Sequence, residues 1–212
     1  MDFLKKYVLL ICVLLLAHNL EAQTQTQLRE AFSKSYAFEK ESKYGDAIKA
    51  ILPYYVANSY EMNLRLGWLS YKNSSHDQSI TYYKKAAALM PVATEPLWGI
   101  VYPYSAQEKW NNVEQTYKAI LKLDPKNGLA HYRLGLINYY RKKYTEAKKY
   151  FDVALNQTPF EYNYMLMSAW NSYFLGRYSE AKVLFNKVLL YNPDDKSALE
   201  GISLIKWIVN SE

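Results

Sequence analysis

The chain has 212 residues, half of them apolar and 22% charged, which is enough for one domain with a substantial core. Glycine and proline number only seven each, and a net charge of +6 is spread along the chain. These values exclude a long linker, a collagen-like or low-complexity tract and a blocked basic tail. The outlier is tyrosine, with 22 copies.

The first 22 residues read as a separate object. Lys5 and Lys6 supply positive charge, Tyr7 to Ala17 is an apolar run of eleven, and His18 to Ala22 turns polar and ends on a small residue. This is the pattern of a secretory signal peptide over 1–22. The run is too short to span a bilayer, which takes about 20 apolar residues. Export to the periplasm or the extracellular space is expected, with a short polar segment at 23–27 and no transmembrane helix in the mature chain. Leu10 and Ile11 precede Cys12 where a lipid-attachment site wants small residues, so simple export is preferred over a lipoprotein. Cys12 is the only cysteine, so the mature chain has no disulfide, thiol nucleophile or thiolate metal site.

From about residue 28 the chain repeats itself. RYSEAKVLFNKVLLYNP, from Arg177, follows KYTEAKKYFDVALNQTP, from Lys143, at an interval of 34. The register holds without insertion from Tyr60 to Asp195, giving units 60–93, 94–127, 128–161 and 162–195. A fifth unit, 28–59, is carried by Lys43-Tyr44-Gly45-Asp46-Ala47-Ile48; Pro53 falls inside its second helix and predicts a break there. The unit 60–93 keeps Leu66-Gly67, Tyr83, Ala86 and Pro91. The unit 94–127 departs most, with Val101, Trp110, Val113 and Ile120, and Pro103 predicts a bend in its first helix. In 128–161, Leu134, Ile137 and Arg141 follow a helical spacing, Lys142 to Thr145 make a turn, and Ala147, Phe151, Ala154 and Leu155 form one stripe before Pro159. A single pair of helices cannot bury both apolar sides, and stacking of neighbours can. Residues 196–212 read as a capping helix with Leu199, Ile202, Ile205, Ile208 and Val209 as its buried stripe. Leu204 and Trp207 are left over, a basis for weak self-association through this helix.

Leu134-Gly135, Tyr144, Ala147, Phe151, Ala154 and Pro159 resemble the tetratricopeptide-repeat pattern, and Ala169, Tyr178, Ala181, Phe185 and Pro193 repeat it. The resemblance implies an all-α, right-handed solenoid of about five helix-turn-helix units over 28–195, closed by the capping helix. It also implies a non-enzymatic scaffold.

Chemistry is sparse. His76 and His131 stand in different units, far apart in sequence, and no metal ligand set or cofactor loop is present, so no catalytic residue, metal or cofactor is expected. Glu146 and Glu180 hold the same place in successive units, where negative charge suits a helix start. The lysine pairs fall on turns and second helices, and export argues against a nucleic-acid partner.

In the family the resemblance points to, first helices line a concave groove through the fifth, ninth and twelfth places of each unit. Here those places hold Phe32, Tyr36 and Glu39; Leu64, Trp68 and Tyr71; Trp98, Tyr102 and Ser105; Tyr132, Leu136 and Tyr139; and Leu166, Trp170 and Tyr173. The ninth place is usually polar in the family, so the Lys-and-Asn clamp for a peptide carboxylate is missing. The expected binding residues are therefore Tyr36, Trp68, Tyr71, Trp98, Tyr102, Tyr132, Tyr139, Trp170 and Tyr173. The resemblance favours a protein or extended peptide of the cell envelope as partner. A glycan stacked on the same rings is the alternative.

Overall fold

A computed structural model describes residues 25–209. The expected signal peptide, Cys12 included, lies outside the described residues. The described residues form eleven helices and no strand. The first helix of each pair is α1 (25–40), α3 (Tyr60–Lys72), α5 (Glu95–Ala106), α7 (Gly128–Tyr140) and α9 (Tyr162–Phe174). Each is followed by its second helix: α2 (Tyr44–Ile51), α4 (His76–Leu89), α6 (Trp110–Leu123), α8 (Tyr144–Gln157) and α10 (Tyr178–Tyr191). The last is α11 (Lys196–Val209). None of the described helices is long and apolar enough to cross a membrane.

One turn is used five times. Ser42, Ser74, Glu108, Lys142 and Gly176 all have positive φ, between 55° and 71°, at the same place between the two helices of a pair. Around Lys142 the amide of Lys142 donates to Tyr139 O (2.8 Å) and that of Lys143 to Asn138 O (2.9 Å). This is the helix-ending Schellman pattern, which satisfies carbonyls that a helix C-terminus otherwise leaves open. Only one of the five is a glycine, so four side chains are held in a backbone region that L-residues disfavour. Helix starts are also repetitive. Ser59, Asn127, Glu161 and Asp195 accept from the amides of Met62, Ala130, Tyr164 and Ala198, at 2.8–3.2 Å.

The two prolines behave differently. Pro53 ends α2 after Ile51 and turns the chain into a 3-10 segment, Leu52–Tyr54, as its missing N–H requires. Pro103 sits inside α5, yet the helix runs unbroken from Glu95 to Ala106. Gly99, one turn earlier, carries no side chain to crowd the ring, and the Gln107 amide still donates to Pro103 O (3.2 Å). The proline therefore leaves the helix continuous.

The described residues divide into two compact units, 25–91 and 92–209. In the first, Ala47, Ile51, Leu66 and Leu69 form a core flanked by Phe32, Phe38 and Tyr44. Gly67 lies under the Tyr83 ring, and Ser79 Oγ donates to its carbonyl at 2.7 Å. In the second unit the small residues face aromatic rings. A Cβ on Gly135 would stand 2.5 Å from Phe151, and one on Gly201 2.3 Å from Phe185. Ala147, Ala154, Ala169 and Ala181 are fully buried. Lys148 on α8 reaches Asp152 (2.9 Å) and Glu180 on α10 (2.6 Å). Burial opposes its charge, but the two carboxylates outweigh that and hold its pKa above the usual lysine value.

The stripe expected on α11 needs correction. Ala198, Gly201 and Ile205 are the buried residues, whereas Leu199 is 48% exposed. The Phe185 ring selects this rotation, because only a residue without a side chain fits beneath it.

Candidate functional site

The rings at the ninth place of the first helices are in unequal states. Tyr102 on α5 is 50% exposed, and Tyr36 on α1 is equally open. The Arg65 guanidinium lies 3.9 Å from the centre of the Tyr36 ring. Trp68 and Trp170 are half-buried and tied to neighbouring helices: Trp68 Nε1 donates to Glu39 on α1 (2.5 Å), and Trp170 Nε1 to Ser197 Oγ on α11 (2.9 Å). Trp170 also stands edge-on to Phe185, with centroids 5.1 Å apart. These two tryptophans join helices as well as facing outward.

The other expected rings serve packing to different degrees. Trp98 is half-buried and tilted against Tyr117 at 5.7 Å. Tyr71, Tyr139 and Tyr173 are half-buried; Tyr139 stands edge-on to Tyr144 and Phe174. Tyr132 is buried, 4.8 Å from Tyr164 and 6.0 Å from Phe151, so it is a core ring and not an open face. Its burial pushes the phenol pKa up to about 12, and burial does the same to Tyr139.

In the first unit, Glu39 is the twelfth-place residue that sequence left polar. Its carboxylate accepts from Arg65 and from Trp68, and Arg65 Nη2 also reaches Ser35 Oγ at 3.0 Å. Burial opposes the Glu39 charge, but the Arg65 and Trp68 hydrogen bonds and the charges of Arg65 and Lys72 prevail, so its pKa lies below the usual value. The cluster is a partly buried ion pair that links α1 to α3.

The second unit contains an open cleft of about 880 Å³ among α5, α6 and α7. Trp110, Asn111 and Asn112 at the start of α6 form one wall, and Arg133, Leu136 and Tyr140 on α7 the other. Arg141 closes one end and is held by Glu114 at 2.5 Å. Trp110 is 52% exposed and Tyr140 74%. The volume falls in the range of ligand-binding clefts, roughly 300–1,000 Å³.

A tetratricopeptide-repeat family profile matches residues 128–160, the α7–α8 pair. A tetratricopeptide repeat protein from Parabacteroides merdae is 20% identical, with a TM-score of 0.70 over 87% of this chain and 74% of its own. MamA from AMB-1 is 19% identical, with a TM-score of 0.65 over 86% of this chain and 98% of its own. PilF from Pseudomonas aeruginosa is 15% identical, with a TM-score of 0.67 over 89% and 86%. Residues 128–160 match a tetratricopeptide repeat, and the chain shares the fold of these solved structures. No curated protein matches it in sequence.

Trp110, Tyr140 and Phe174 are open rings that sequence reasoning passed over. Tyr140 and Phe174 hold the thirteenth place of successive units, and that repeated aromatic was the available signal. Trp110 was visible only as a departure from the usual tyrosine.

Proposed function

We propose that this protein is an exported scaffold that holds an extended peptide, or a segment of another protein, against the open rings of its first helices. One observation carries the reading: in the second unit Tyr102, Tyr140 and Phe174 set large, exposed rings on α5, α7 and α9 in turn. Rigid aromatic side chains on helices make strong anchors because they offer large contact area and lose little freedom on binding. Such a row serves binding. The N-terminal pattern of Lys5, Lys6 and the apolar run to Ala17 supports export. A periplasmic or secreted location would put the partner in the cell envelope.

Photo-crosslinking tests the groove. A photoreactive phenylalanine analogue at position 102 or 140 is expected to capture a polypeptide in the native envelope, and one at Lys149, on the exposed side of α8, is not. Equal capture from all three positions refutes the reading. N-terminal sequencing of the native protein is expected to begin near Gln23; a retained Met1 refutes export.

A glycan is the second reading, and the amides of Asn111 and Asn112 beside Trp110 favour it, since sugar hydroxyls need such partners. Weak self-association is also proposed, because Leu199, Leu204 and Trp207 leave apolar surface exposed on α11. Sedimentation at rising concentration that shows monomer throughout removes it.

A further inference from the structure

The repeat shows what normally fills the place where the cleft lies. The first residue of a second helix and the thirteenth residue of the next first helix meet across neighbouring pairs. Tyr144 and Phe174 stack at 4.9 Å with ring planes 10° apart. Lys72 places its ammonium 5.2 Å from the Tyr44 ring. The residues at the same two places between α6 and α7 are Trp110 and Tyr140. They are the largest pair of the series, and among the described residues they make no ring contact with each other; both are more than half exposed and both line the cleft.

We infer that this unclosed contact is a slot for one aromatic side chain of a bound peptide, taken between Trp110 and Tyr140 with a neighbouring carboxylate set against Arg133. A planar ring entering the gap regains on both sides the stacking that Phe174 and Tyr144 give each other within the chain. The charge of the lining selects the neighbour. Lys109, Arg133 and Arg141 face the cleft against Glu108 alone. Arg141 is matched by Glu114, but Arg133 has no carboxylate partner among the described residues; its guanidinium lies 5.9 Å from the centre of the Tyr132 ring. An exposed arginine beside two open rings suits an acidic residue next to an aromatic one. This rests on the peptide-binding reading above and names the chemistry of the peptide.

The indole N–H resonances of the tryptophans give the test, with Trp110 assigned by its loss in Trp110→Phe. The probes are acetyl-Asp-Phe-Asp-amide, acetyl-Asp-Leu-Asp-amide, acetyl-Asn-Phe-Asn-amide and maltoheptaose, titrated into the mature protein. The Asp-Phe-Asp peptide is expected to shift Trp110 and to bind at least about tenfold more tightly than the Asp-Leu-Asp peptide. Trp110→Ala is expected to lose about tenfold in affinity while its helical circular dichroism stays at the parent level. Arg133→Gln is expected to abolish the preference for Asp-Phe-Asp over Asn-Phe-Asn while leaving ring binding in place. Equal binding of the Phe and Leu peptides, or undiminished binding by Trp110→Ala, overturns the slot. A Trp110 shift with maltoheptaose and none with the peptides overturns it in favour of a glycan. If the peptide binds but its binding depends on Tyr102 and not on Trp110, the slot falls and the groove reading stands. Crosslinking from position 102 that captures no polypeptide, with the Trp110 response intact, leaves the slot standing and the wider groove refuted.

Discussion

Close contacts at single residues carry much of this fold. Gly135 lies against the Phe151 ring, and Ala181 is fully buried in the core of its pair. Ala181→Leu is expected to cost roughly 1–3 kcal/mol through overpacking, and Gly135→Ala a similar amount because Phe151 is itself buried and cannot step aside. Thermal melts check both; an unchanged midpoint in either would contradict the packing described. A second residue-scale effect is electrostatic. Tyr162 donates to Asp195 at 2.6 Å, while Asp195 caps α11. Hydrogen bonding to Asp195, with burial second, raises the Tyr162 pKa to about 12. A raised pKa means that its contribution is complete below about pH 10 and is lost as pH climbs through about 12. Burial opposes the Asp195 charge, yet hydrogen bonds from Tyr162 and the Ala198 amide hold its pKa below the usual value. Its contribution is therefore present above about pH 3.9 and lost as pH falls through the lowered value. The stability gap between parent and Tyr162→Phe, measured by denaturant melts, should stay constant near neutrality and shrink toward about pH 12. A gap that widens with rising pH would show the sign to be wrong.

At the scale of the helix, starts and stops are set by a few repeated positions. Lys142 closes α7 in the left-handed region with a side chain that disfavours it. Lys142→Gly is expected to stabilise by roughly 0.5–1 kcal/mol, and Gly176→Ala to destabilise by a comparable amount. At the opposite end of the same helix, Asn127→Ala removes the acceptor for the Ala130 amide and should cost about 1 kcal/mol. Chemical denaturation of the three variants measures all of this, and equal midpoints for Lys142→Gly and its parent would remove the turn argument. The two prolines show how position decides an element. Pro53 meets a short helix and ends it; Pro103 lies near the end of α5, beside Gly99, and the helix absorbs it.

For the whole molecule, the aromatic residues divide by task. Trp170 packs on Phe185 and binds Ser197, so Trp170→Ala should cost about 3 kcal/mol of stability. Tyr102 is open, so Tyr102→Ala should change stability by less than about 0.5 kcal/mol and weaken the partner instead. Melts and a binding titration on the same two variants separate the roles. A Tyr102→Ala protein that melts early and still binds would assign that ring to the core.

The repeat phase, the helix pairs and the break at Pro53 were all legible in the sequence, because each depends on local spacing or dihedral preference. So were the ninth-place rings as a set. Their individual states were not. Whether a ring is open depends on partners about 30 residues away, such as Glu39 for Trp68 and Ser197 for Trp170, and on how one helix rotates on the next. The exposure of Leu199 on α11 has the same origin, since Phe185 claims Gly201 and turns the helix. Trp110 and Tyr140 carry the strongest example. In sequence they occupy the same places as Tyr144 and Phe174, which stack; only the packing of α6 against α7 leaves the first pair apart and opens the cleft.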